Sequence, residues 1–383
     1  MADVDSTKRS LSEYRVEFPV TKKFIYLDHA AVAPLSKRVK VSVNKFLTEA
    51  TESAFFEYSR WMDKVEEIRG TCAELVGSEK DEIAFVKNTS HGISLVAGGL
   101  DWKEGDNVII YEKEFPSNIY PWLDLERRGV KVKFIPARGN MICTDDIGKM
   151  IDANTRLLSI SSVQFSNGFR VDLEKLGELC RRRKVLLFVD AIQSLGIVPM
   201  NVAQLGIDFL ASDGHKWLLA PEGTGIFYCR HELAELLKPS LIGWKSVLNE
   251  NDYDHIDFRF KTNSLKFEEG SLNVMGIMAL GAAVDMLLEV GIGRISERIL
   301  DLGDFIVQQS EERGLGIRSP KDRNQRAGIS SIVGNFDPVG VKDRLRALGI
   351  LVNVRSGAIR VAPHFYNTED EILSFFGELD KLI

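Results

Sequence analysis

Apolar residues occur along this chain in two alternating spacings. Short apolar runs at 83–86, 108–111, 157–160 and 185–189 have the length and composition of buried strands. Stretches between them, such as 172–184, repeat apolar residues with the helical period. Strands that alternate with helices over residues 80–230 predict an α/β fold with a doubly wound, mostly parallel sheet.

The same pattern divides the chain into three parts. Residues 1–24 are a polar arm with some helical character, 25–285 form a large domain that holds the sheet, and 286–383 form a smaller α+β domain. We expect the arm to pack with the small domain. The expected elements of the small domain are a helix that ends at Arg313, a strand near 329–333, a helix at 339–348 and a terminal helix at 368–383.

Composition places the chain among ordinary globular proteins. Of its 383 residues, 44% are hydrophobic and 27% are charged, which allows two domains with their own cores. A net charge of −6 offers no general attraction to nucleic acid or to acidic membranes. The apolar stretch 274–288 is interrupted by Gly and Asp, which favours a buried helix over a membrane span.

The cysteines and the N-terminus bear on the compartment. Four cysteines are scattered without a CxxC pair or a metal-ligand spacing, which favours reduced thiols over disulfides. Residues 1–10 contain no apolar segment of the kind that a secretory signal needs. We therefore expect a cytoplasmic protein without a metal site.

Candidate chemistry lies where two neighbouring apolar runs end. Asp190 closes the run 185–189 and Lys216 follows the run that begins at Asp208. Ligands of open α/β sheets bind at the carboxyl ends of strands, where both side chains would lie. A lysine that forms a Schiff base and a carboxylate that keeps a pyridine nitrogen protonated suit pyridoxal phosphate. A salt-bridged pair at the edge of a sheet would have the same spacing, so spacing alone leaves both interpretations open.

Three motifs around these residues carry a family resemblance. They are DAIQ at 190–193, DGHKW at 213–217 and EGTG at 222–225. Together they resemble the class V aminotransferase family of fold-type I pyridoxal phosphate enzymes, which includes cysteine desulfurases and isopenicillin-N-epimerase-like proteins. The similarity runs from about Tyr26 to the C-terminus. It implies a large cofactor-binding domain with a smaller C-terminal domain, and it favours the cofactor interpretation.

The resemblance also implies a set of cofactor contacts. Lys216 would hold the cofactor as an internal aldimine and Asp190 would stabilise its pyridinium. The other implied contacts are Thr89 and Ser90 at the phosphate, Phe115 stacked on the ring, Gln164 and Gln193 near the ring oxygen, His215 beside the cofactor without an assigned role, and Ser271 at the phosphate of the neighbouring subunit. The contact by Ser271 implies a homodimer with shared active sites. At Thr89 an ordinary helix cap would give the same local pattern.

Three residues are candidates for the substrate. Arg360 matches the family arginine that holds the α-carboxylate, because its planar fork can bind a carboxylate through two hydrogen bonds. Arg355 lies close enough in sequence to assist. His29 falls in a segment that passes near the substrate pocket in the family. A surface ion pair and an ordinary loop histidine are the alternatives for these positions.

The predicted reaction depends on positions where this chain departs from the family pattern. Desulfurases have histidine where this chain has Phe115, and a nucleophilic cysteine between the positions of Arg355 and Arg360, where none stands here. Signatures of dinucleotide-binding enzymes, P-loop NTPases, zincins and α/β-hydrolases are absent from the sequence. We therefore predict an aminotransferase for a small amino acid or amine. The alternatives are a C–S lyase or cysteine desulfurase-like enzyme, an epimerase, and a cofactor-binding protein without turnover.

Overall fold

The computed structural model describes residues 9–139 and 141–383. Its strands are β1 (Ile25–Tyr26), β2 (Ile83–Val86), β3 (Asn107–Tyr111), β4 (Lys131–Ile135), β5 (Thr155–Ser161), β6 (Leu186–Asp190), β7 (Phe209–Asp213), β8 (Gly225–Cys229), β9 (Gly316–Ile317), β10 (Ser330–Val333), β11 (Ile350–Leu351), β12 (Asn353–Arg355) and β13 (Ala358–Val361).

The helices occupy most of the segments between these strands. They are α1 (Leu11–Tyr14), α2 (Lys37–Glu52), α3 (Tyr58–Val76), α4 (Thr89–Gly99), α5 (Tyr120–Leu123), α6 (Thr144–Met150), α7 (Leu173–Arg183), α8 (Val202–Leu205), α9 (His231–Leu236), α10 (Val274–Val290), α11 (Ile292–Glu312), α12 (Pro338–Ala347) and α13 (Glu369–Leu379).

Seven strands form the central sheet, in the order β2-β8-β7-β6-β5-β3-β4. Pairs within β7-β6-β5-β3-β4 are parallel, and β8 runs antiparallel to both of its neighbours. Side chains alternate between two cores, as in β3, where Val108 and Ile110 lie in one core and Ile109 and Tyr111 in the other. Both faces of the sheet are therefore buried, which confirms the predicted doubly wound, mostly parallel α/β fold of type I.

The C-terminal part builds a second sheet with its own core. Its order is β12-β13-β10-β9, and each of these pairs is antiparallel. Apolar residues from this sheet and from α11, α12 and α13 form a separate cluster that includes Ile306, Leu345, Ile359 and Phe375. A parallel pair of β1 with β11, Ile25 opposite Ile350, ties this part to the N-terminal segment.

Contacts of the N-terminal arm reach the same C-terminal part. Arg15 donates to the carboxylate of Glu371 at 2.7 Å and to the carbonyl of Tyr366 at 3.0 Å. The ring of Phe18 stacks on Tyr366 with 3.7 Å between centroids. Residues 1–8 of the predicted arm lie outside the described residues, and the predicted domain limits stay a prediction.

Among the described residues no single helix is both long and apolar enough to cross a membrane. Val274–Val290 and Ile292–Glu312 meet those criteria only as a pair, and they are bent by 79° at the break between them.

Candidate active site

A cavity of about 380 Å³ opens at the carboxyl ends of the parallel strands. That volume lies within the range of small-molecule sites. The cavity is lined by Ala30, Ala31, Val32, Asn88, Thr89, Ser90, Phe115, Ser117, Phe165, Asp190, Ile192, Gln193, Asp213, His215, Lys216, Arg355 and Arg360. Nine of the predicted site residues are thereby brought to one cavity, although they come from five separate stretches of the chain.

Lys216 lies in the loop that joins the antiparallel strands β7 and β8. The two strands approach closely at Gly225, where an added Cβ would lie 2.3 Å from the carbonyl oxygen of Ser212. The loop is closed by a hydrogen bond from the Gly214 amide to the Thr224 carbonyl, at 3.0 Å. Glycine at 225 thus permits the close approach of the two strands whose connecting loop presents the lysine to the cavity.

The environment of Lys216 favours a reactive amine. The pKa of Lys216 is lowered to about 8, chiefly by burial, and the guanidinium groups of Arg360 and Arg355 contribute to the lowering, while Asp190 and Asp213 act in the opposite direction. Nζ lies 5.6 Å from the centroid of the Phe115 ring. A lysine with this pKa is partly neutral near neutral pH, as nucleophilic attack on an aldehyde requires.

Asp190 ends β6 and supplies a buried carboxylate to the cavity. Asp190 is 2% exposed, and its Oδ1 accepts a hydrogen bond from the Ile192 amide at 3.0 Å. Burial raises the pKa of Asp190 to about 6, against the lowering effect of that hydrogen bond and of Lys216. The carboxylate is therefore ionised at neutral pH and can hold a proton on a bound aromatic nitrogen.

Helix α4 points its N-terminus at the cavity. Asn88 caps the helix by accepting from the His91 amide at 2.9 Å, and the amides of Thr89 and Ser90 make no hydrogen bond within the described part of the chain. Gly92 allows the helix to pack close to β7, since an added Cβ at this position would lie only 2.6 Å from the Cβ of Ala211. Free amides and the positive end of the helix dipole suit a phosphate group.

Two hydroxyl groups at this helix end already have partners. Oγ1 of Thr89 accepts from the amide of Asp213 at 3.1 Å, and Oγ of Ser90 donates to Ser117 at 2.8 Å. The carboxylate of Asp213 accepts from the Gly214 amide at 2.7 Å, and its Oδ2 lies 3.0 Å from Nδ1 of His215, at an angle that makes no hydrogen bond. Asp213 is thus held within its own loop.

The hydroxyl of Ser212 is also committed. Oγ of Ser212 donates to the carbonyl of Asp213 at 3.1 Å. Ser212 does not belong to the lining of the 380 Å³ cavity. The serine and threonine residues that do line this cavity are Thr89, Ser90 and Ser117.

Gln193 reaches the cavity, whereas His29 does not. Oε1 of Gln193 accepts from the indole of Trp217 at 2.8 Å, and Nε2 donates to the Ala30 carbonyl at 3.1 Å, which leaves one N–H for a ligand. His29 is fully buried in the core, with its ring nitrogens 2.8 Å from the Ala362 carbonyl and 2.6 Å from the Tyr366 hydroxyl. The structure therefore gives no support to a substrate contact by His29.

Arg360 and Arg355 lie on one face of the β12–β13 hairpin. Arg360 is 1% exposed, donates to the Phe165 carbonyl at 3.0 Å and to Asp28 at 3.2 Å, and keeps Nε buried without a partner among the described residues. Arg355 uses Nη1 for Asn353 at 2.9 Å and for the Val354 carbonyl at 2.8 Å. The unpaired Nε and the net positive charge suit a substrate carboxylate.

Ser271 lies away from this cavity in the single chain. It lines a separate cavity of about 140 Å³ together with His91, Thr224, Glu269 and Asn273. The sequence predicts that Ser271 contacts the cofactor phosphate of a neighbouring subunit. Its position outside the 380 Å³ cavity of its own chain agrees with this prediction but does not test it.

Glu114 is a buried carboxylate that the sequence did not indicate. It is 4% exposed and accepts from the Ser161 amide at 2.7 Å, from the Ser161 hydroxyl, and from Nε2 of Gln164 at 3.2 Å. Burial raises the pKa of Glu114 to about 7, and the charge of Asp190 adds to that effect. Gln164 itself is buried directly before the lining residue Phe165.

Comparison with known proteins places these features in a family. The model of the family described as "Aminotransferase class-V" matches residues 25–373. A probable cysteine desulfurase of Methanothermobacter thermautotrophicus is 31% identical, with 94% of this chain and 95% of that protein covered. The uncharacterized aminotransferase YcbU of Bacillus subtilis is 26% identical, with 96% of both chains covered. The apo structure of a cysteine desulfurase from Thermococcus onnurineus NA1 superposes with a TM-score of 0.90 at 26% identity, over 98% of this chain and 99% of that chain.

The residues that line the cavity fit pyridoxal phosphate. Lys216 offers an amine of lowered pKa, and Asp190 offers an ionised carboxylate at the end of the neighbouring strand. The α4 amides provide an anion site, and the exposed ring of Phe115 provides a stacking surface. Each of these groups matches one chemical part of the cofactor: the aldehyde, the ring nitrogen, the phosphate and the aromatic face. This chain belongs to the class V aminotransferase family and is a pyridoxal phosphate-dependent enzyme.

Proposed function

We propose that this enzyme cleaves the C–S bond of a small sulfur-containing amino acid, such as cysteine, and releases the sulfur into solution. Relatives that match nearly the whole chain are named as cysteine desulfurases, which supports a sulfur amino acid as substrate. The predicted aminotransferase reaction has less support from these relatives than its C–S lyase alternative. The observation that carries the proposal is the combination of an intact Lys216–Asp190–Arg360 cavity with the absence of a thiol from its wall.

The absence of a thiol separates a lyase from a desulfurase. All four cysteines lie among the described residues, and none of them lines the 380 Å³ cavity. Burial raises the pKa of both Cys72 and Cys180 to about 12 and raises that of Cys229 further, so these thiols are poor nucleophiles. We infer that no protein thiol accepts the sulfur in this site.

The hairpin geometry supports the same inference. Where desulfurases have a loop with the nucleophilic cysteine, this chain passes directly from β12 to β13, with Arg355 paired to Ala358. Ser356 and Gly357 alone form the turn, with φ angles of 50° and 73°. Two consecutive residues with positive φ are typical of a tight two-residue hairpin, which has no room for a mobile cysteine loop.

The residues of the cavity can perform an elimination. The bound cofactor supplies an electron sink for the bond electrons of the substrate Cα. Arg360 holds the α-carboxylate, and Nζ of Lys216 removes the α-proton and can return a proton to the departing sulfur. The Cβ–S bond then breaks with its electron pair on sulfur. With cysteine the balanced result is pyruvate, ammonia and hydrogen sulfide, with one water consumed.

Product analysis with L-cysteine tests this proposal. We expect the cofactor-loaded enzyme to form pyruvate and sulfide in equal amounts, as measured by a coupled dehydrogenase assay and by methylene blue. The variant Cys143→Ser is the control, and we expect it to keep the wild-type rate because Cys143 lies outside the cavity. Alanine with protein-bound sulfane sulfur, or a loss of sulfur release in Cys143→Ser, would overturn the proposal.

Transamination is the second candidate, and two observations favour it. Phe115 has no group that could transfer a proton to or from sulfur, and a relative of similar length is named as an aminotransferase. In the same assay a transaminase would yield a keto acid that retains the sulfur, and only when a second keto acid is present. Epimerisation would use the same lysine and would appear as D-amino acid. We do not propose the alternative of a cofactor-binding protein without turnover, because the family is one of enzymes.

We further propose that two copies of the chain pair, as the implied role of Ser271 requires. Large apolar side chains are exposed at the turn between α2 and α3 and in the segment 241–260: Phe55 is 81% exposed, Phe56 89%, Ile256 94% and Phe258 68%. Exposed apolar surface of this kind favours association. Sedimentation equilibrium should give twice the chain mass of 43.0 kDa. A mass equal to one chain at micromolar concentration would contradict the proposal.

The predicted cytoplasmic location stays a prediction.

A further inference from the structure

Ser117 lines the cavity, although it is not among the predicted site residues. It belongs to a single 3₁₀ turn, Pro116–Asn118, which follows β3. Asn118 is fully buried and accepts hydrogen bonds from the indole of Trp122 at 3.0 Å and from the hydroxyl of Ser159 in β5. These buried contacts tie the turn that carries Ser117 to the central sheet.

Hydrogen bonds decide which hydroxyls at this wall still have a proton to donate. A serine or threonine hydroxyl donates one hydrogen bond and can accept two. Ser90 donates its proton to Oγ of Ser117 at 2.8 Å, so it has none left for a ligand. Ser117 accepts this bond, and its side chain makes no other hydrogen bond within residues 9–139 and 141–383. The O–H of Ser117 is therefore free to donate to a molecule in the cavity.

Ser117 lies at the same end of the cavity as the α4 amides. Ser90 is the second residue of α4, and its backbone amide is one of the two there that have no partner in the described part of the chain. Because the hydroxyl of Ser90 is bonded to Ser117, the hydroxyl of Ser117 lies close to these amides. An anion bound at the positive end of the helix would therefore meet amide donors and a hydroxyl donor together.

We propose that Ser117 binds the phosphate of the cofactor, and that Ser90 is a positioning residue whose hydroxyl orients that of Ser117. Ser90 then contributes its amide directly and its hydroxyl only through Ser117. Thr89 keeps a proton of its own to donate, since its Oγ1 accepts from the Asp213 amide at 3.1 Å. The inference rests on the cofactor and not on the proposed C–S cleavage, so the two can fail separately.

A comparison of two ligands distinguishes a phosphate contact from any other role of Ser117. Pyridoxal phosphate and pyridoxal share the ring and the aldehyde, and only the first carries a phosphate. Absorbance titration of the apoenzyme gives a Kd for each. We expect Ser117→Ala to raise the Kd of pyridoxal phosphate about tenfold or more, as for the loss of a hydrogen bond to a charged group, and to leave that of pyridoxal unchanged. An equal rise for both ligands, or no rise for either, would overturn the proposal.

Ser117→Cys tests the same contact if the alanine variant does not fold. The cysteine side chain is close to serine in size, but its S–H is a weak donor. We expect this variant to raise the Kd of pyridoxal phosphate about tenfold and to leave that of pyridoxal unchanged. A wild-type Kd for pyridoxal phosphate would contradict the proposal, since a strong donor at this position would then not be needed.

A double-mutant cycle tests whether Ser90 acts through Ser117. Ser90→Ala leaves the amide in place and removes the hydroxyl that orients Ser117, so it should raise the Kd of pyridoxal phosphate by less than Ser117→Ala does. In the Ser117→Ala background the same change should have almost no further effect. Losses that add in the double variant would mean that each hydroxyl binds independently, and a larger loss for Ser90→Ala than for Ser117→Ala would reverse the two roles. Both results contradict the proposal.

Ser240→Ala is the matched control at the opposite end of α4. Ser240 is exposed and lies outside the cavity, and its Cβ would be 3.1 Å from a Cβ added at Gly98 near the end of the helix. We expect this variant to keep the wild-type Kd for both ligands. A rise as large as that of Ser117→Ala would overturn the assignment, because loss of any hydroxyl beside α4 would then have the same effect.

Discussion

Replacement of Lys216 by alanine is expected to abolish turnover while the protein stays folded and still binds the cofactor without a covalent bond. Lys216 is the amine of lowered pKa in the cavity. In the proposed reaction it forms the covalent bond with the cofactor and then moves the α-proton. Loss of the proton-transfer role alone lowers the rate by about 10²–10⁴-fold, and loss of the covalent bond adds to it. The product assay with cysteine measures the rate, and borohydride reduction followed by peptide mass mapping locates the modified residue.

The pH dependence of this bond follows from the pKa of Lys216. Because that pKa is lowered from 10.5 to about 8, the neutral amine becomes populated as the pH rises through 8. The rate at which apoenzyme captures the cofactor should rise up to that pH and then level off. Lys238→Ala is the control, since Lys238 is exposed and outside the cavity. Borohydride labelling of any other lysine, or capture that still rises steeply above pH 9, would refute the assignment of Lys216.

The regular elements of the large part could be predicted because their apolar residues repeat with a clear period. The helical period over 172–184 predicted a helix, and the structure has α7 there. The direction of β8 could not be predicted, because a continuous apolar run reads the same for a parallel and an antiparallel strand. The pairing of β1 with β11 could not be predicted either, since strands of two residues carry no periodicity.

Site residues could likewise be predicted where a local pattern locates them, and not where contacts distant in sequence place them. Asp190 and Lys216 could be located because each follows a strand of the parallel sheet, where ligands bind. The place of His29 depends on Tyr366 and Ala362, more than 300 residues away, and no local pattern shows that contact. Glu114 looks like a solvated residue of a polar turn, and its buried contacts with Ser161 and Gln164, 47 and 50 residues away, follow from no local pattern. Its one sequence signal is its position directly before Phe115, the predicted stacking residue.

Asp190→Asn should lower kcat by about 10²–10³-fold, as expected when a preorganised electrostatic contact is removed from an active site. Asparagine has nearly the same shape and can still accept the hydrogen bond from the Ile192 amide, so the fold around β6 should survive. The negative charge is lost, however, and the ring nitrogen of the cofactor no longer has a partner that keeps it protonated. The electron sink weakens, which slows removal of the α-proton by Lys216 even though the lysine is intact.

Asp208→Asn is the matched control for this charge. Asp208 is also a largely buried carboxylate that accepts a backbone amide, from Leu187 at 2.8 Å, but it lies at the opposite end of the same strands and pairs with Arg230 at 2.9 Å. Its substitution should lower stability and leave kcat within about threefold, since surviving enzyme keeps the carboxylate at the cavity. Equal losses of kcat in the two variants would mean that sheet stability and not the charge of Asp190 sets the rate. A wild-type rate in Asp190→Asn would remove Asp190 from the catalytic machinery. A large loss confined to Asp190→Asn means that the electron sink of this enzyme depends on the carboxylate that ends β6.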